Sequence, residues 1–326
     1  MAADGGTKAV VAALLANTGI AITKFAAFFV SGISSMLAEA IHSVADSGNQ
    51  ALLLLGGKRA KREATEEHPF GYGRERYVYS FIVAIVLFSV GGLFALHEAW
   101  HKYHEVHEGH AELEEDWKVY VPLVVLGIAI VLEGLSFRTA LTETGKIKGR
   151  SSYWAFIRRA KQPELPVILL EDFAALVGLA FAFIAVVITI ATGNQYFDVA
   201  GTAMIGVLLV VVAATLAVET KSLLLGEAAA PEAQRRIQDA LVTADGFERV
   251  IHLKTLHLGP EELLVAAKVA VRRGVTAEEV AGAIDAAERA VRAAEPIARV
   301  IYIEPDIYRA DYVPEERPEP PAAAGH

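Results

Sequence analysis

His42 and Asp46 lie four residues apart in an apolar run, Ser34-Ser35-Met36-Leu37-Ala38-Glu39-Ala40-Ile41-His42-Ser43-Val44-Ala45-Asp46. Residues i and i+4 share one face of a helix, so imidazole and carboxylate point at one spot. Ionisable groups at membrane depth are costly and usually mark an ion or proton path. A second acidic pair, Glu171-Asp172, sits inside another long apolar stretch. Two hard-ligand sets on different helices predict a divalent cation held between them.

The candidate metal set is therefore His42, Asp46, Asp172 and Glu171. A lone His on a helix is usually structural, but an Asp one turn on, at membrane depth, changes that balance. Glu39 precedes His42 by three residues and shares roughly its face. It is left three readings: ligand, proton carrier, or a group near the membrane surface. Asn49, three residues beyond Asp46, is placed to hydrogen-bond a ligand. Glu171 and Asp172 point about 100° apart on a helix, so one of them should face the His42/Asp46 pair. Asp172 is the choice. Glu171 then completes the shell, accepts protons or pairs with a basic group. The bland alternative is an interhelical hydrogen bond with one acid protonated.

One imidazole with two or three carboxylates suits Zn²⁺ at about 2.0–2.2 Å. It also accepts Mn²⁺, Co²⁺, Ni²⁺ or Fe²⁺, whereas Ca²⁺ and Mg²⁺ prefer all-oxygen cages. Binding needs neutral imidazole and ionised carboxylates, so it expels protons. A site open alternately to each side would exchange metal for protons. A second group, His97, His101, His104, His107 and His110, is interleaved with Glu98, Glu105, Glu108 and Glu112. It reads equally as a metal-collecting stripe or a solvated acidic loop.

The elements that must position these residues are membrane helices. The 326-residue chain is 54% hydrophobic, too apolar for an ordinary soluble protein. Six runs, 9–30, 33–55, 77–100, 119–141, 165–192 and 199–216, approach or exceed the ~20 residues needed to cross hydrocarbon. The second run carries Glu39, His42, Asp46, Asn49 and Gln50, so it belongs inside the bundle. Cysteine is absent, which removes thiolate metal sites, disulfides and a soft Cu(I) carrier. The net charge of -9 gives no support to nucleic-acid binding. No His-Glu-x-x-His or other hydrolase motif is present, so no enzyme and no cofactor are expected.

Basic residues sort by loop. The second-to-third connection holds Lys58, Arg59, Lys61, Arg62, Arg74 and Arg76, and the fourth-to-fifth holds Lys146, Lys148, Arg150, Arg158, Arg159 and Lys161. The third-to-fourth connection is rich in Glu and His, and 193–198 has no basic residue. The positive-inside rule places the basic loops and both termini in the cytoplasm. Met1 to Lys8 is short and polar, so no cleavable signal or transit peptide is expected, and a bacterial plasma (inner) membrane is the expected location.

Beyond Lys221 the pattern becomes that of a small α+β domain. Helices at 231–244 and 276–294, strands at 250–258, 263–271 and 300–303, and a Gly259-Pro260 turn give the order αββαβ, a ferredoxin-like sheet. The expected layout is a six-span transmembrane domain over 1–222, a cytoplasmic domain over 223–312 that dimerises for stability, and a disordered Pro/Glu/Ala-rich tail over 313–326.

These residues resemble the cation diffusion facilitator family of metal/proton antiporters along nearly the whole chain. The resemblance rests on Asn17 and Lys24, on the string Ser35 to Asp46, on His68-Pro69-Phe70-Gly71-Tyr72-Gly73-Arg74, and on the αββαβ tail ending Tyr302-Ile303-Glu304-Pro305. It implies a homodimer, V-shaped or parallel, that moves a divalent transition metal, Zn²⁺ first, out of the cytoplasm in exchange for protons. His42 and Asp46 carry over directly and Asp172 with them. Two departures stand out. The family sets His or Asp four residues before the fifth-span acid, and here that position is Ile168; Leu170-Glu171-Asp172 with Ala174-Ala175 looks like the zinc-transporter-nine-like branch. In the tail, Ala267, Lys268 and Tyr302 stand where family ligands fall, and His252 and His257 lack acidic partners, so little or no metal is expected there. The rival reading is a non-transporting, metal-responsive scaffold of the same fold, in which the loss at Ile168 ended transport.

Overall fold

The computed structural model describes residues 2–31, 34–109, 120–243 and 246–310, with side chains at 7–29, 40, 43–44, 46–109, 120–243 and 246–310. They form two compact units, Met1–Glu227 with His257–Glu262, and Ala228–Leu256 with Leu263–His326.

The first unit is helical. Its elements are α1 (Ala2–Ser31), α2 (Ser34–Arg59), α3 (Glu75–Val86), a π-helical segment (Leu87–Leu93), α4 (Phe94–His107), α5 (Val121–Ile147), the short α6 (Tyr153–Arg159), α7 (Glu164–Thr192) and α8 (Tyr196–Leu225). From α3 through the π segment to α4 the chain is one continuous rod. Among the described residues five helices are long and apolar enough to cross a membrane: Thr7–Phe29, Glu75–His107, Val121–Ile147, Glu164–Thr192 and Tyr196–Leu225. The expectation of six is thus met by five on length and composition. α2 is a 26-residue helix, but its run of Glu39, His42, Asp46, Asn49 and Gln50 makes it too polar to qualify. Helix α6 was not expected, because seven residues carry too little periodicity to read. Ser152 caps it, its hydroxyl accepting the Ala155 N–H at 3.1 Å.

The core of this unit joins Val10 and Ala13 of α1, Leu53 of α2, Val83 of the rod, Val167 to Leu170 of α7, and Leu216 of α8. Helices in lipid gain nothing from hiding apolar groups from water, so close approach through small residues must supply attraction. Glycines provide it here. A Cβ on Gly206 would lie 2.8 Å from Leu96 Cγ, and one on Gly92 would lie 2.7 Å from Val210 Cγ2. Gly206→Val is expected to push α8 off the rod and destabilise by about 1–3 kcal/mol. A lower melting temperature of the solubilised protein would register this; unchanged melting would mean the approach is not tight.

The basic-loop ends of the rod and α7 are tied together. Arg76 pairs with Glu164, and the Tyr77 hydroxyl donates to the Lys161 carbonyl at 3.1 Å. At the other end of α7, Gly193 takes φ 68°, the left-handed conformation that lets a helix stop without a Cβ clash.

After α8 the chain runs α9 (Pro231–Thr243), β1 (Phe247–Gly259), β2 (Glu262–Val271), α10 (Ala277–Ala294) and β3 (Ala298–Asp306), which apart from 257–262 make up the second unit. The sheet order is β1-β2-β3. β2 and β3 are parallel, with Val265 opposite Ile301. Only Pro260 and Glu261 join β1 to β2, a connection too short for anything but an antiparallel pair. The sheet is therefore mixed. The expected Gly259-Pro260 turn falls one residue later, since Gly259 still belongs to β1. Alternate β2 residues Leu263, Val265, Ala267 and Val269 are buried with Ile237 and Leu241 of α9 and Ala287 and Val291 of α10. A reciprocal capping box, Thr276 with Glu279, starts α10.

On this sheet Lys268 bonds Glu304 and Asp306, each at 3.0 Å. Those bonds, Glu304's first, hold its ammonium above the ordinary lysine range. A fixed cation therefore stands on this sheet at Lys268. Ala267 is core, His257 is buried and His252 is exposed. The expected disordered tail, 313–326, lies outside the described residues, as do Ile33 and Val119 at the expected starts of two spans.

Candidate metal centre

Helix α7 places its adjacent acids on different neighbours, as a 100° step requires. Glu171 turns to α2. Its Oε1 accepts the Asn49 amide at 3.1 Å and its Oε2 accepts the Gln50 amide at 2.9 Å. Gln50 in turn accepts from Asn17 of α1 at 3.2 Å. This chain of amides links three helices. Asp172 turns instead to α5, where the Ser136 hydroxyl donates to its Oδ2 at 2.8 Å. Asp172 Oδ1 and Asn49 Oδ1 are buried and have no hydrogen-bond partner among the described residues.

A carboxylate that sequence reasoning passed over completes the picture. Glu133 lies one turn before Ser136 on α5 and is 2% exposed. The charged groups that act on it most strongly are Asp172, Glu171 and Asp46, in that order. Those acting on Glu171 are Asp46 and Asp172. Acids of α2 and α7 thus act on Glu133 of α5 and on Glu171. Burying like charges together is unfavourable unless a cation joins them or protons neutralise them. Glu133 was findable: an acid in mid-span is the same signal that singled out Asp46.

The backbone of α2 carries His42 one turn before Asp46, but the side chains of His42 and Glu39 lie outside the described residues. Without them, the described residues contain no group of three or more His, Cys, Asp or Glu placed to hold a metal ion. Ile168, one turn before Asp172, is fully buried in the apolar core. On α4, His97, His101, His104 and His107 are exposed. His101 sits 3.5 Å from Glu105, His104 meets the Trp100 edge and His107 stacks on Tyr103. These four belong to no metal-holding group, while His110 and Glu112 lie outside the described residues.

Residues 10–225 match the family described as the cation efflux transmembrane domain. This chain belongs to the cation diffusion facilitator (cation efflux) family. Family membership makes it a multi-pass membrane transport protein and not an enzyme. It is 32% identical over 270 residues to the Mus musculus protein named "Proton-coupled zinc antiporter SLC30A9, mitochondrial", covering 81% of this chain and 46% of that relative. The Homo sapiens protein of the same name is 33% identical with the same coverage. "Metal tolerance protein C4" of Arabidopsis thaliana is 29% identical over 265 residues, 80% of this chain and 56% of the relative. This facilitator spans about half the length of the curated relatives it matches. The expectation of a plasma membrane finds no support in them, since two carry a mitochondrial name.

Proposed function

We propose that this facilitator is a proton-coupled secondary transporter that exports a divalent transition metal, Zn²⁺ first, by alternating access. The observation that carries the reading is the pair of buried acids on α7, Glu171 bonded by Asn49 and Gln50 of α2 and Asp172 by Ser136 of α5, with Asp172 Oδ1 left unpartnered among the described residues. The cargo is bound by His42, Asp46 and Asp172, between α2 and α7. Glu171, held by the Asn49 and Gln50 amides, adds negative charge and keeps lone pairs for the ion. Loading the ion displaces protons, which couples the two fluxes. The proton-coupled zinc antiporters among its relatives support this choice of cargo and driving ion.

In this reading α2 is the sixth span. Its polar face is accounted for by the amide bonds to Glu171, which need no lipid contact. An even span number places both termini on the side of the basic loops, the cytoplasmic side by the positive-inside rule. The αββαβ unit is a ferredoxin-like domain through which two copies pair.

The rival, a non-transporting metal-responsive scaffold, draws only on Ile168. Proteoliposomes holding a pH dye divide the two. Adding Zn²⁺, Mn²⁺, Co²⁺, Ni²⁺ or Cd²⁺ on one side is expected to move protons the opposite way, with Zn²⁺ the fastest. No flux with any metal from folded protein would leave the scaffold reading standing.

A further inference from the structure

We propose that Glu133 is a metal ligand, supplying from α5 a coordination position that Ile168, one turn before Asp172, cannot supply. The inference rests on the transport reading above and changes the architecture of its site. The ion is gripped by three helices, α2, α5 and α7.

Ile168 cannot bind a cation, and its side chain is packed in the apolar core. The face of α7 one turn before Asp172 is therefore closed. Glu171 is held on the α2 side, each of its oxygens accepting one amide hydrogen there. Glu133 is 2% exposed and stands one turn from Ser136 on α5, on the face of the residue whose hydroxyl fixes Asp172 Oδ2. That leaves Asp172 Oδ1 buried and unpartnered, and Asn49 Oδ1 likewise. Buried oxygens without donors are expensive and rare in native structures. Here one belongs to an aspartate flanked by Glu133 and the other to the amide that holds Glu171. A cation bound between Glu133 and Asp172 would occupy the vacant Oδ1 and replace carboxylate repulsion with attraction on both sides.

The replacement also alters selectivity. A glutamate rather than an imidazole in this position makes the set one nitrogen and mainly oxygens. Such a set gives Mn²⁺ and Co²⁺ a better relative standing than a nitrogen-richer one.

The test uses full-length protein in detergent, with Zn²⁺ affinity from competition against a chromophoric chelator and the visible absorption of bound Co²⁺ as a report on its ligands. Asp172→Ala is the control for the site itself. Glu133→Gln keeps shape and removes charge. It is expected to weaken Zn²⁺ binding by more than ~100-fold, beyond the 10–100-fold cost of losing a supporting contact, and to shift the Co²⁺ bands. Adding Ile168→His in the Glu133→Gln background is expected to recover affinity, since it restores a ligand on the adjacent turn of α7. Should Glu133→Gln fail to fold, Glu133→Asp carries the test, because withdrawing the carboxylate by one methylene moves the Co²⁺ bands only when it touches the ion. Loss of binding in Asp172→Ala with unshifted Co²⁺ bands in the Glu133 variants would overturn the inference and leave the transport site intact. Native affinity in Asp172→Ala would overturn both.

Discussion

Metal-driven proton flux through Asp172→Ala in proteoliposomes is expected to fall to that of protein-free vesicles, at least ~100-fold below the native chain. Asp172 is the acid of α7 whose carboxylate combines a fixed and an open oxygen. Ser136 holds Oδ2, which sets the orientation of the group. Oδ1 faces no protein donor among the described residues. Truncation to Ala deletes a negative charge from a buried centre meant for a dication and releases the Ser136 hydroxyl. Neighbouring acids cannot move in, because Glu171 is anchored by two amides and Ile168 closes the preceding turn. The variant removes a like charge from among buried acids, so it should fold at least as well as the native protein. Flux within a few-fold of native from such protein would place the transported ion elsewhere.

The second large effect concerns the αββαβ unit. Ile237 of α9 is fully buried against β2 residues such as Val265 and against Leu241. Ile237→Ala is expected to cost about 2–5 kcal/mol, from lost transfer energy and the cavity left behind. A unit of this size has only about 4–12 kcal/mol of total stability, so the loss takes a large share of it. The fraction unfolded should rise about 30-fold or more. Trypsin reports this on the full chain, because Arg235, Arg236, Arg272 and Arg273 lie in this unit. Cleavage there should accelerate while Arg158 and Arg159 of the first unit are cut at the native rate. Equal cleavage of native and variant at the four sites would mean that Ile237 is not a core residue.

Much of this architecture was legible in the sequence because lipid imposes a simple code. A run of some twenty apolar residues must be helical at membrane depth, so 165–192 anticipated α7 to within one residue. The alternation around Val265 likewise anticipated β2. Where the code is weak, the structure supplies what reading could not. The polar residues of α2 placed it inside the bundle, and the bonds to Glu171 show which helix its Asn49 and Gln50 meet. Sequence spacing could say that Glu171 and Asp172 diverge, but it chose Asp172 as the acid facing α2, whereas the α2 hydrogen bonds go to Glu171 and Asp172 bonds Ser136 of α5. Which acid meets which helix needs the packing of α5 and α7. Glu133 escaped because its run has only one acid amid apolar residues and offers no i+4 partner of its own. Its meaning comes from Asp172, 39 positions away in the chain.

The π-helical segment Leu87–Leu93 has a consequence for how this rod tolerates change in length. An i→i+5 turn holds one residue more than the i→i+4 turn on either side of it. The surplus sits in a stretch containing Ser89, Gly91 and Gly92, where the Ser89 hydroxyl bonds the Ile85 carbonyl at 2.8 Å. Elsewhere in the rod, removing one residue would rotate everything beyond it by about 100° and dislodge either Val83 or Leu96 from its packing. Removing one residue here would instead regularise the backbone into α-helix and keep both flanking faces in phase. This segment is where the chain can lose one residue in a membrane span without rebuilding the bundle around it.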